Sequence, residues 1–153
     1  MNKLKYLGYS IVFQEVPDEV TLAINISGCP HKCVGCHSKY LWEYTGNYIS
    51  DELDTLINKY EGLITCVCFM GGDQNPFELS ELLLNIRNKN IKTALYTGND
   101  MVDECLLDKL DYYKVGGYVA TLGGLNSKST NQKMFKRDNN KWCNITHKFW
   151  KED

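Results

Sequence analysis

Three cysteines within eight residues constrain this chain more than any other feature: Cys29, Cys33 and Cys36, in "SGCPHKCVGCHSKYLW". The spacing C-x3-C-x2-C asks one short loop to turn three sulfurs toward a common point. Gly28, Pro30 and Gly35 suit the tight curl that this requires. The whole chain holds seven cysteines. In a reducing compartment an odd count, with three crowded into one loop, favours metal or redox chemistry over a disulfide framework. "VTLAINI" runs straight into the loop. Its Val20, Leu22, Ile24 and Ile26 fall at every second position, as in a strand with one buried face. The cysteines are therefore expected at the C-terminal end of a strand.

Beyond the loop the chain alternates between helical and extended periods. Ser50 reads as an N-cap, with Asp51 and Glu52 in the first turn and Leu53, Leu56, Ile57 and Tyr60 on one helical face. "GLITCVCFM" is a continuous apolar run with β-branched residues, the pattern of a strand buried on both faces. "GGDQNP" interrupts it. Pro76 opens a helix that buries Leu79, Leu82, Leu83 and Ile86. "IKTALYTG" is a further strand, Asp100 a candidate cap for a helix carrying Val102, Leu106 and Leu110, and "YYKVGGYVA" a fourth strand. A late strand fits "KWCNIT". This alternation predicts an α/β fold with a parallel sheet in one domain spanning residues 1–153. Ligand sites in such sheets lie at the C-terminal ends of the strands. The cysteine loop, "GGD" (Gly71 to Asp73) and "YTG" (Tyr96 to Gly98) would all fall at that edge and converge there.

Three thiolates suit a 4Fe–4S cluster, whose four irons each need an outer ligand, so one iron is left open. An open position is the mark of a catalytic metal, by analogy with zinc. Zinc itself is the alternative ion, since His31 or His37 would complete a Cys3His set. No second ligand pair lies downstream to favour it. Two glycines at "GGD" let a backbone approach a ligand closely, and the carboxylate of Asp73 can accept a charge-assisted hydrogen bond from an ammonium. Cys66 and Cys68 lie two apart on a strand and share a face, where core packing accounts for them. Cys105 and Cys143 complete the inventory without an assigned role.

C-x3-C-x2-C placed directly after the first strand of an α/β chain resembles the radical S-adenosylmethionine superfamily. Within it, "GCPHKCVGCHSKYLW" resembles the cluster loop of the anaerobic ribonucleoside-triphosphate reductase activating proteins, with Gly35 where other members carry an aromatic residue. "GGD", "YTG", the Gly-x-Tyr segment at Gly116 to Tyr118 and "STNQ" at Ser129 to Gln132 extend the likeness from Gly8 to Gln132. The resemblance implies a shortened partial (β/α) barrel and a 4Fe–4S cluster on Cys29, Cys33 and Cys36. It places S-adenosylmethionine beside Gly35, Cys36, His37, Gly71, Gly72, Asp73 and Thr97. It further implies reductive cleavage of S-adenosylmethionine and transfer of the radical to a glycine of the large anaerobic ribonucleoside-triphosphate reductase subunit. A low-potential donor such as flavodoxin or ferredoxin would supply the electron. A non-catalytic zinc or iron–sulfur module, and a small radical enzyme acting on a metabolite, are the competing readings.

The formal net charge is −2. Its distribution is uneven: residues 126–153 carry seven Lys or Arg and three acids, and the other 125 residues carry ten and sixteen. Phe135, Trp142, Phe149 and Trp150 are interleaved in this basic tail, which reads either as a solvated end or as a docking surface for an acidic partner. No apolar run reaches the length of a membrane span and "MNKLKYLGYS" lacks the apolar centre of a signal peptide, so a cytoplasmic protein without membrane or nucleic-acid partners is expected.

Overall fold

A computed structural model describes residues 2–29 and 41–150. One eight-stranded sheet organises them, in the order β3-β1-β2-β4-β5-β6-β7-β8. The strands are β1 (Lys5–Val12), β2 (Thr21–Ile26), β3 (Asn47–Tyr48), β4 (Cys66–Met70), β5 (Lys92–Tyr96), β6 (Tyr112–Val115), β7 (Lys133–Asp138) and β8 (Lys141–Asn144). Three helices, α1 (Ile49–Lys59), α2 (Pro76–Arg87) and α3 (Glu104–Leu107), lie between them, and a 3-10 turn, Thr146–Phe149, comes after β8. None of the described helices is long and apolar enough to cross a membrane.

The expected parallel sheet is corrected to a mixed one. β2, β4, β5 and β6 pair in parallel, whereas β1, β3, β7 and β8 join antiparallel at the two sides. Strand–helix alternation extends only across the centre. β1 escapes a periodicity reading because its register shifts between Tyr6 and Tyr9, at Gly8, which has φ 97°. The bulge moves the apolar phase by one residue, so Tyr6, Tyr9 and Ile11 still reach the same core. β7, "KMFKRD", is too polar to announce itself, and is fixed by pairing with β6 and by burial of Met134.

The helices keep their expected faces but shift at their ends. Leu53, Leu56 and Ile57 of α1 are buried, yet the cap position falls at Tyr48, and Ser50 sits inside the first turn with no capping bond. Pro76 is the first residue of α2, and the Asn75 side chain caps it by accepting from the Glu78 N–H at 3.3 Å. α3 is a single turn preceded by Asp103 rather than Asp100, although Val102, Leu106 and Leu110 are buried as expected. β6 stops at Val115, because Gly116 turns away at φ 99° and gives its N–H to the Asn99 carbonyl at 2.8 Å.

The sheet divides two cores. Leu22, Ile24, Ile26, Val67, Phe69 and Leu95 face the helices. Cys66, Cys68, Ala94, Tyr112 and Met134 face the other way, under Val16, Ile145 and Phe149. Each fully buried Leu, Ile or Phe contributes about 1.5–3 kcal/mol. The helix side, which holds most of them, therefore dominates stability. The opposite face carries fewer buried apolar side chains.

Candidate metal and cofactor site

The C-terminal ends of the four parallel strands form one edge of the sheet. Ser27, Gly28 and Cys29 leave β2, Gly71 to Gln74 leave β4, Thr97 to Asn99 leave β5, and Gly116 leaves β6. The antiparallel neighbours add the start of β1, the start of β7 and the end of β8 to the same edge, through the pairs Tyr6 with Ile26, Val115 with Lys133 and Phe135 with Asn144.

The described residues on either side of the cysteine loop are tied together. Cys29 N–H donates to the Leu41 carbonyl at 2.9 Å, and Gly28 N–H to the Glu43 carbonyl at 3.0 Å. Ser27, 2% exposed, donates from Oγ to the Thr45 carbonyl at 2.5 Å and accepts the Thr45 N–H at 3.2 Å. Gly46 then passes so close to β1 that a Cβ there would lie 2.0 Å from the Tyr6 carbonyl oxygen. Only glycine fits that approach, with φ at 102°. Cys29 is half-buried and its thiol is free. Cys33, Gly35, Cys36 and His37 lie outside the described residues.

The "GGD" turn meets the end of β2 and the β5 loop at once. Gly71 and Gly72 have φ of 95° and 114°, which L side chains adopt only with strain. Gln74 Oε1 accepts the Gly72 N–H at 3.0 Å, while its Nε2 donates to the Ser27 carbonyl at 3.1 Å. That amide locks the turn to the strand that ends in Cys29. Asp73 is half-buried. Its Oδ2 accepts Thr97 Oγ1–H at 2.6 Å and Asn99 Nδ2–H at 2.7 Å, and Thr97 Oγ1 in turn accepts the Asn99 N–H at 3.0 Å. Its Oδ1 accepts no hydrogen bond from the described residues. One oxygen orients the carboxylate and the other can accept a further hydrogen bond.

Beneath these groups lies a buried cation. Lys114 Nζ donates to the carbonyls of Thr97 at 3.1 Å and Gly116 at 3.0 Å, and sits 5.5 Å from the centre of the Tyr96 ring. Burial pushes the Tyr96 phenol well above its ordinary value, and the Glu15 charge adds to the effect. Its hydroxyl donates to the Glu15 carbonyl. The Lys114 ammonium thus fixes the β5 and β6 loops against each other.

The structure therefore brings Cys29, Gly71, Gly72, Asp73 and Thr97 to one edge, as expected from sequence. It adds Gln74, Asn99 and Lys114, which the sequence pattern did not single out. Asn99 comes directly after "YTG", so its position was within reach. Lys114 gave a stronger signal, a charge inside the apolar strand "YYKV". Cys66 and Cys68 are fully buried in the face opposite the helices, and burial, chiefly, raises both thiols far above the usual range. They are neutral packing groups.

Fold and edge together define an α/β domain with Cys29 on the same strand-end edge as a carboxylate-bearing glycine turn. The family model of 4Fe-4S single cluster domains matches residues 19–139. The chain belongs to that family, and is an iron–sulfur protein. No curated protein matches the chain.

Proposed function

We propose that the protein is a radical S-adenosylmethionine activase. It would generate a glycyl radical on the large subunit of an anaerobic ribonucleoside-triphosphate reductase, with a low-potential flavodoxin or ferredoxin as electron source. Asp73 carries the reading: it is aimed by Thr97 and Asn99 through one oxygen, and its other oxygen is without a hydrogen-bond donor among the described residues. A carboxylate held this way, on a turn tied to the strand of Cys29, suits the ammonium of an amino-acid-like cofactor.

The donor set fits the cluster. Cys29 is partly accessible at a braced strand end, and thiolates are the usual ligands of iron–sulfur clusters. Cys29, Cys33 and Cys36 would hold a 4Fe–4S cluster, and Gly71, Gly72, Asp73 and Thr97, with Gly35 and His37, would seat S-adenosylmethionine. When bound, the reduced cluster supplies one electron and an open iron for breaking the sulfonium bond. The chain's own part is positional. Gly71 and Gly72 keep side chains away from the ligand, Asp73 takes the cofactor's ammonium, and Gln74 and Lys114 hold four loops in two pairs, β2 with β4 and β5 with β6. The four parallel central strands support the reading, since a shortened partial (β/α) barrel would be built on such strands. A short chain with an open edge suits a substrate that is a loop of another protein.

Anaerobic reconstitution tests the reading. The expected product is brown, carries about four irons per chain, and after reduction converts S-adenosylmethionine into methionine and 5′-deoxyadenosine. Mixed with the reductase, it should yield a glycyl radical seen by electron paramagnetic resonance. A colourless zinc protein, or an iron–sulfur protein that leaves S-adenosylmethionine intact, would end the proposal. Cleavage without a radical on the reductase would point to a metabolite substrate instead.

A further inference from the structure

At the β6–β8 end of the functional edge lies a cleft of about 320 Å³, lined by Thr130, Gln132, Lys133, Asn144, His147 and Trp150. It adjoins the candidate site through one shared atom. The carbonyl oxygen of Gly116 accepts Lys114 Nζ at 3.0 Å from the site and Gln132 Nε2 at 3.2 Å from the cleft. We propose that this cleft seats an extended, acidic peptide segment of the protein that the enzyme activates. The identity of that protein rests on the activase reading, whereas the cleft's preference for an acidic peptide does not.

Three observations favour this occupant. The first is charge. Residues 126–150 carry six Lys or Arg against one acid, Asp138. Lys148 is paired with Asp18. Arg137 spends its guanidinium on the carbonyls of Leu110 and Leu107. Lys133 lines the cleft, is exposed, and has no ion-pair partner among the described residues. The cleft therefore carries a positive charge that no described acid neutralises. The second is an unmet donor. The indole Nε1–H of Trp150 is buried without an acceptor among the described residues. A buried donor in that state is unfavourable, and a carbonyl of a bound chain would relieve it. The third is the sheet. β8 is the last strand in the order and its outer edge is unpaired among the described residues. It ends at Asn144, which lines the cleft, so an extended chain leaving the cleft can continue along a strand edge.

The lining argues against a phosphate site of similar charge. It offers amide, hydroxyl and indole groups, which match a peptide backbone. It has no arginine fork, and the helical N-terminus it meets, at Thr146, belongs to a 3-10 turn of four residues, too short for the dipole that grips phosphate.

Fluorescence anisotropy on the reconstituted full chain tests the proposal. The probe is a short fluorescein-labelled peptide of alternating Glu and Gly, compared with Lys–Gly and Ser–Gly peptides, with inorganic phosphate and ATP as competitors. The Glu–Gly peptide should bind best, and more weakly as salt rises. Lys133→Glu should weaken it about tenfold. Trp150→Phe, which keeps the ring and loses the N–H, should weaken it about threefold to tenfold. Lys59→Glu, on α1, should leave it unchanged. Equal binding of the three peptides, an unaltered Lys133→Glu, or displacement by phosphate or ATP in preference to peptide would overturn the proposal. Cleavage of S-adenosylmethionine by the chemically reduced holoenzyme needs no partner and tests the activase reading separately. Lys133→Glu should retain it in full.

Discussion

Glu19 and Asp73 are both carboxylates held by side chains from neighbouring strands, at opposite ends of the parallel strands. Glu19 is 7% exposed, and both its oxygens are engaged. Oε1 accepts Thr65 Oγ1–H at 2.8 Å, while Oε2 accepts Lys92 Nζ at 3.0 Å and Tyr112 O–H at 2.9 Å. Burial and this carboxylate push the Tyr112 phenol far above its usual range. Asp73 is less buried, uses one oxygen for two donors and keeps the other without a partner among the described residues. A saturated carboxylate binds the fold together and has nothing left for a ligand. A half-satisfied one is oriented at modest cost and stays reactive toward a cation. The loop ends differ in the same sense: positive-φ glycines crowd the Asp73 end, at Gly28, Gly71, Gly72 and Gly116, whereas Glu19 lies beside strand residues.

The largest effect that would sharpen this contrast comes from the cluster side. Cys29→Ala should abolish both iron retention and 5′-deoxyadenosine formation while the apo-protein keeps its fold, checked by iron analysis and circular dichroism. Next come the two carboxylates themselves. Asp73→Asn should lower kcat/KM for S-adenosylmethionine cleavage by about 10- to 100-fold, the worth of a hydrogen bond to a charged group, with little change in melting temperature. Glu19→Ala should do the reverse: about 2–3 kcal/mol less stability by denaturant unfolding, discounted for the half-exposed Lys92, with kcat/KM intact. If both variants lose activity and stability alike, the distinction collapses. Thr97→Val removes one of the two donors that aim Asp73, and should raise KM several-fold at about 1 kcal/mol.

The smallest effect concerns the thiols. Cys66 and Cys68 have raised pKa values in the fold, so there they hold their protons above about 8.5, where an unfolded chain loses them. The unfolded state then binds fewer protons, and stability falls as pH rises through that value. At pH 8 iodoacetamide should label the exposed Cys105 and Cys143 and spare Cys66 and Cys68. Labelling of either buried thiol in native protein would show that the face opposite the helices opens.

Local pattern made much of this molecule legible. The strands β2, β4, β5 and β6 and the helices α1 and α2 show in the periodicity of their apolar residues, because burial on a sheet or helix face imposes a fixed spacing. The cysteine triplet, "GGD" and "YTG" show as interruptions of those patterns, and parallel order sends their loops to one edge. The sequence alone thus determined an iron–sulfur domain and the shared edge of its strand-end loops. Only the tertiary structure decided that the sheet is mixed. β1 hides behind a bulge at Gly8 that shifts its phase, and β7 is polar and gains its place by pairing with β6. The same holds for the choice between Asp73 and Glu19. Each is one acid beside strand residues in the sequence. The number of donors that reach each oxygen depends on side chains 24 to 93 residues away, Thr97 and Asn99 in one case and Thr65, Lys92 and Tyr112 in the other. Hydrogen-bond saturation is a property of assembled neighbours, and no window along the chain contains it.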